Sequence, residues 1–266
     1  MRYNSNTFEL AFCYTIKAKI YMKFELENDR NLEERIRQSS NPDQALSYQR
    51  FYKTGPGQYA EGIIFLGIPR PQLRAILKDY QGADDTIVLD LITNPYHEVC
   101  LLGVLIIIDR YERAKSEAER KKHLNFYLKH RYALNNWDLV DISVPKIWGD
   151  YLLKNTVARK KLFIYASSKN IWERRMSIVA TLTLIKAGQF KEIFKLLSFL
   201  KHDSEDLIQK ALGWMLREVG KKDEAALKDF LDQEAVSLAR TTLRYAIERF
   251  SKIDRQHYLK LSDCSH

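Results

Sequence analysis

Glycine and proline are scarce in this sequence, 10 and 6 among 266 residues. Sandwiches and barrels use both in their many tight turns, so the scarcity disfavours an all-β design. Cysteine is scarcer still. Cys13, Cys100 and Cys264 lie far apart and form no CxxC pair. That argues against a disulfide framework and a zinc site, and for a reduced, cytoplasmic setting. Long apolar runs are missing too. The longest, around Val104–Ile108, ends at Asp109 and Arg110, far short of the roughly 18 residues a membrane helix needs. The stretch Phe8–Met22 is mildly apolar but carries Glu9, Lys17 and Lys19, so it lacks a signal-peptide core. Residues 1–30 read as an N-terminal extension of poor order. No membrane partner and no metal are expected.

Negative charge is the last thing in short supply. Lys and Arg number 43 against 34 Asp and Glu, a net charge of +9. Between Lys115 and Arg175 stand 14 basic and 6 acidic residues, so nearly the whole excess sits there. Such a concentration suits a polyanion, nucleic acid above all, although solvated helix faces are the common reading of charge runs.

Hydrophobic residues make up 45% of the chain, enough for a sizeable core. Their spacing is helical from Asn31 onward, with candidate helices from Leu32–Ser39 to Val236–Phe250 and no sustained alternation of period two. Among them are Trp137–Lys154, Ile171–Ala187 and Ser204–Lys221. Asn136, Asn170 and the pair Asp203-Ser204 stand where caps belong, and Gly188 and Gly220 where helices should stop. Trp137 and Trp172 each open a helix, and Leu207 lies in the first turn of a third, at a spacing of 35 residues. Long helices alternate with shorter ones. This is the pattern of an all-α solenoid of helix pairs with a continuous core and a concave face. An irregular helical bundle is the alternative.

The irregular stretch Lys53–Gly62 superficially resembles a phosphate-binding loop. It lacks the Gly-Lys-Ser/Thr ending and follows no strand, so it reads as a connector or as a loop touching a DNA backbone through Lys53.

On a helical wheel, Asp141 falls about 40° from Trp137 and Trp148 about 20° from it. Asp141 is thus a carboxylate on an apolar, tryptophan-bearing face, where a lone charge is costly. Either a partner neutralises it in a structural salt bridge or it faces a cleft that uses its charge. Pro145, one turn on, should break or kink the helix. Trp214 sits at the edge of a core stripe, flanked by Lys210 and Arg217. Arg174 and Arg175 fall in the first turn of their helix, where the dipole disfavours cations. A bound phosphate would resolve that conflict, and so would an acid nearby. A carboxylate, two indoles and several arginines suit cleavage of an N-glycosidic bond, which passes through an oxocarbenium-like cation. A base already cationic through alkylation leaves neutral and needs no strong general acid.

The segments Phe51–Tyr59, Phe65–Ile68, Asn136–Asp141, Asn170–Arg175 and Ile208–Glu218 resemble the AlkD-type DNA alkylation repair family, over about Ala45–Phe250. The resemblance implies a single domain over residues 31–266, an α-solenoid of HEAT-like repeats with a concave DNA-binding face. It implies a DNA glycosylase that excises positively charged alkylated purines, such as 3-methyladenine and 7-methylguanine, without inserting the base into a tight pocket. No cofactor is implied. The partner is double-stranded DNA containing alkylated bases, and the protein is a cytoplasmic monomer, nucleoid-associated when bound. By motif, Trp137 and Trp214 match the family's aromatic cleft residues, Asp141 its catalytic carboxylate and Arg175 its cleft arginine. Lys210, Arg174, Arg217 and Lys53 are further candidates for DNA contact. The sequence departs from the family at Glu61-Gly62-Ile63, where Asp is expected after the glycine. A catalytically silent DNA-binding helical-repeat protein and a protein-binding helical scaffold are the competing readings.

Overall fold

The computed structural model of the chain describes residues 30–263, with the side chains of 30, 262 and 263 left aside. Cys13, Cys264 and nearly all of the expected N-terminal extension lie outside the described residues. Within them the fold is all-α: no strand forms, and Ile64 and Tyr96 make one isolated bridge. The chain divides into two compact units, one ending at Ala133 and the other starting at Leu134.

The first unit holds α1 (Arg30–Gln38), α2 (Pro42–Phe51), α3 (Arg70–Asp79), α4 (Asp85–Ile92), α5 (His97–Arg113) and α6 (Glu117–Lys129). Side chains cap several starts: Asn41 accepts from the amides of Asp43 and Gln44, Asp84 from Thr86 and Ile87, and Ser116 from Glu119. These bonds satisfy donors that a helix start leaves open. α5 is buried along most of its length and forms the middle of the unit, with α3, α4 and α6 against it. Its Glu98 is a buried carboxylate that accepts amide hydrogens from Leu66, Gly67 and Ile68 at 2.9, 2.7 and 3.2 Å. Burial pushes this carboxyl above the usual range while the Leu66 and Gly67 amides pull it down. The segment it holds passes so near α2 that a Cβ on Gly67 would stand 2.0 Å from the Asn41 carbonyl oxygen, and Gly67 has φ 76°.

The second unit holds α7 (Trp137–Val144), α8 (Asp150–Lys154), α9 (Lys160–Ala166), α10 (Ile171–Val179), α11 (Thr181–Lys186), α12 (Lys191–Leu200), α13 (Asp206–Lys222), α14 (Glu224–Glu234), α15 (Arg240–Ala246) and α16 (Lys252–Asp263). α7, α10, α13 and α15 pack each against the next in chain order. Their first residues, Trp137, Ile171, Asp206 and Arg240, are 34 or 35 residues apart. α9 packs on α10 and α12, and α12 on α13, so a second row backs the first.

Several expectations change here. Pro145 does not break its helix. The chain continues through a π turn, Pro145–Gly149, into α8, with helical dihedrals throughout. The wider turn absorbs the missing donor and the ring's demand for space. Ile171–Ala187 is interrupted at Ala180, where the Thr181 hydroxyl bonds back to the Ile178 carbonyl at 2.6 Å. Gly220 lies inside α13 rather than at its end, because a Cβ there would meet Leu227 at 2.6 Å. Gly188 does end its helix, at φ 76°. The expected helix Val236–Phe250 shortens to α15, and α16 follows as an additional helix.

Candidate functional site

Trp137, Asp141, Arg174, Arg175, Lys210, Trp214 and Arg217 all lie in the second unit, on the successive helices α7, α10 and α13. Lys53 lies in the first unit, exposed, at the only positive φ (54°) of a non-glycine residue among the described residues. In its loop the Gly55 amide is taken by the Gln58 side chain at 2.9 Å and the Gly57 amide by Glu61 at 2.8 Å. These amides are closed by the loop's own side chains, one of them anionic, which favours the connector reading over a phosphate cradle.

Asn136 seats the start of α7 by accepting the Trp137 amide at 2.7 Å. Trp137 is half-buried, and Asp141 follows one turn later on the same face. Trp148 does not share that environment: it is 1% exposed in the core, its ring 4.6 Å from Tyr165.

Asp141 is paired. Arg175 of α10 donates from Nε to Oδ1 at 2.9 Å and from Nη2 to Oδ2 at 2.7 Å, the two-pronged geometry that fixes a carboxylate plane. Its remaining arm donates from Nη1 to the Leu207 carbonyl at 2.6 Å. One guanidinium thus ties α7, α10 and the start of α13 together. The Asp141 side chain keeps 18% exposure and that of Arg175 6%. Burial pushes the Asp141 carboxyl above its ordinary range; Arg175 opposes the rise and Asp138, one turn back, adds to it.

Arg174 has a different set of partners. It pairs with Asp203 at 2.7 Å and donates to the carbonyls of Ser168 and Lys169 at 3.0 and 3.1 Å. The two cations at the start of α10 are therefore balanced by acids from neighbouring segments, the second of the two solutions foreseen for their conflict with the helix dipole. Asn170 caps the same helix by accepting the Trp172 amide at 2.8 Å.

On α13, Trp214 is half-buried and its indole nitrogen donates to Glu218 at 3.1 Å. Lys221 also binds Glu218, at 2.6 Å. Lys210 pairs with Asp206 at 2.7 Å, and Arg217 pairs with Glu248 beyond α15. Gln209, buried beside them, donates to the Asp203 carbonyl at 2.7 Å and accepts from Thr242 at 2.6 Å, locking α13 to α15.

A cleft of about 420 Å³ opens along this edge, lined by Lys210, Thr241, Arg244, Tyr245, Glu248 and Arg255. The sequence reading missed Arg244 and Arg255. A signal for Arg244 existed: Asp141, Arg175, Lys210 and Arg244 are each the fifth residue of their helix, 34 or 35 residues apart, so the spacing carried one step further ends at or beside it. Among the described residues no group of three or more His, Cys, Asp or Glu side chains could hold a metal ion.

The sequence model of a family described as DNA alkylation repair enzyme matches residues 32–250. A solved structure described as a predicted DNA alkylation repair enzyme from Enterococcus faecalis shares the fold, with a TM-score of 0.62 at 20% identity, over 80% of this chain and 98% of that one. No curated protein matches.

Proposed function

This chain belongs to the DNA alkylation repair enzyme family, and we propose that it is a DNA glycosylase that releases positively charged alkylated purines from duplex DNA. The observation that carries the reading is the Asp141–Arg175 arrangement. A partly exposed carboxylate is held in a fixed plane on a row of helices that also presents the indoles of Trp137 and Trp214.

In this reading the row α7–α10–α13–α15 is the inner layer of a solenoid whose concave face receives the duplex. Trp137 and Trp214 flank the damaged nucleotide without enclosing the base, and their ring faces favour its positive charge. The bond from the sugar C1′ to the base nitrogen breaks, and its electrons neutralise the alkylated base as it leaves. Positive charge develops on the sugar. Each Asp141 oxygen accepts one Arg175 hydrogen bond and retains a lone pair on the open side. The anion stabilises the sugar cation and orients the water that attacks C1′; the water's oxygen bonds C1′ and its extra proton passes to solvent. Arg175 is a positioning residue: its bonds set the carboxylate before substrate arrives, so little reorganisation is left to the reaction itself.

The same ion pair gives substance to a second reading, in which Asp141 is structural and the protein binds DNA without chemistry. Base release from methylated duplex separates the two. Asp141→Asn should lose most 7-methylguanine release, by about 10²-fold or more, while keeping duplex affinity. Equal release by variant and wild type removes Asp141 from the mechanism. No release by wild type, with duplex binding intact, establishes the silent reading.

A further inference from the structure

The cleft beside α15 has no part in the chemistry above, yet its lining is selective. Arg244 and Arg255 are exposed, and neither guanidinium has an acid partner among the described residues. The one acid in the lining, Glu248, is taken by Arg217. Lys210 contributes a third cation, shared with Asp206 on the solvent side. Thr241 and Tyr245 add side chains with hydroxyl groups.

The floor is rigid. A Cβ on Gly213 would lie 2.5 Å from the Thr242 carbonyl oxygen and 2.5 Å from the Tyr245 Cβ, so α13 and α15 touch backbone to backbone. Thr242 is also clamped by Gln209. Repeat register adds direction. Arg244 occupies on α15 the position that Asp141, Arg175 and Lys210 occupy on α7, α10 and α13. It extends the row that carries the proposed catalytic carboxylate, and it is the arginine of that row left uncommitted to an acid.

We propose that this cleft is a phosphate-binding site that grips the sugar–phosphate backbone of the duplex, one helix beyond Trp214. Two planar guanidiniums and hydroxyl groups suit a phosphodiester, whose single negative charge is shared by two non-bridging oxygens. The proposal rests on the DNA reading of the site. It adds an anchor that holds the strand while Asp141 and the tryptophans act on the damaged nucleotide.

The experiment is a duplex-binding titration across salt concentrations, with the double variant Arg244→Gln/Arg255→Gln. Each phosphate contact contributes about 0.9 to the slope of log K against log salt. The variant should lose about 1 to 2 units of slope and bind about tenfold more weakly near 0.15 M salt. Arg244→Lys/Arg255→Lys, which keeps both charges, should recover most of the affinity and guards against misfolding. Lys186→Gln/Lys195→Gln removes the same charge from exposed positions on α11 and α12 and should leave the slope near the wild-type value.

An unchanged slope in the Gln variant overturns the anchor, and so does an equal loss in the Lys186/Lys195 control. Inorganic phosphate is titrated in parallel. If it saturates the wild type but not the Gln variant while duplex affinity is unchanged, the ligand is a free phosphate compound and the strand anchor is wrong. Base release is read on the same samples. A wild type that binds through the cleft but releases nothing sinks the glycosylase reading alone, whereas intact release with an unchanged slope sinks the anchor alone.

Discussion

At the scale of single residues, the decisive question is what Asp141 is worth as an anion. Two effects of opposite sign meet on it: burial favours the protonated form, and the Arg175 charge with its two hydrogen bonds favours the ionised one. The net direction is upward, and Asp138 contributes to it. Asp138 is itself buried, one turn earlier on α7. A carboxylate that must be ionised to stabilise a cation loses function as pH falls through its pKa. A raised pKa moves that loss to higher pH than an ordinary aspartate would show. Removing the neighbouring charge should lower the Asp141 pKa again. In Asp138→Asn the acid limb of base release should therefore shift to lower pH, read from release rates of 7-methylguanine across a pH series. A limb that stays in place, or moves up, would show that the Asp138 charge is not felt at the proposed catalytic carboxylate.

At the scale of elements, close approach is enforced by missing side chains. Gly149 lets the π turn rest on α11, where a Cβ would lie 2.6 Å from the Thr183 hydroxyl, and Gly213 does the same between α13 and α15. In the second case the obstacle is backbone, which cannot rotate away. Gly213→Ala should therefore destabilise the fold by about 1–3 kcal/mol through overpacking, despite the better helix propensity of alanine. The urea midpoint measures it; a loss below about 0.5 kcal/mol would mean that α15 shifts freely. These elements also mark where sequence reasoning stopped. Asn136 and Asn170 were legible as caps because a cap is a local affair of one side chain and the next amides. The fate of Pro145 and of Gly220 was not. Whether a proline breaks a helix or forms a π turn, and whether a glycine ends a helix or admits a neighbour, is decided by what packs alongside. Here the neighbours are Thr183, which bonds the Pro145 carbonyl at 2.7 Å, and Leu227. The ion pairs of α10 fall between. An acid partner for Arg174 and Arg175 could be anticipated, but Asp203 and Asp141 as the partners belong to tertiary structure.

At the scale of the whole molecule, the 35-residue spacing was the most informative feature of the sequence, because a repeat reports on packing as well as on local structure. It anticipated the alignment of α7, α10 and α13 and stopped one step before α15. Charge was read less completely. The basic excess between Lys115 and Arg175 is real, but much of it is already committed: Arg120 to Glu117, Lys154 to Asp150, Arg159 to Glu192, Arg174 to Asp203 and Arg175 to Asp141. Lys121, Lys122, Lys129, Lys160, Lys161 and Lys169 remain exposed, with no acid partner among the described residues. Only cations that can leave water for a phosphate release counterions, so the committed arginines should contribute little to salt dependence. With Arg244 and Arg255 added, the slope of log K against log salt for duplex binding should accordingly lie near −3 to −7, well short of the about −13 that 14 engaged cations would give. A titration between 50 and 200 mM salt reads it. A flat response would remove nucleic acid as the partner. A slope near −13 would need cations beyond these, whether from elsewhere in the chain or from ion pairs such as Arg175–Asp141, which DNA would then have to open; in the second case the proposed catalytic carboxylate would meet DNA without the guanidinium that holds it in the free protein.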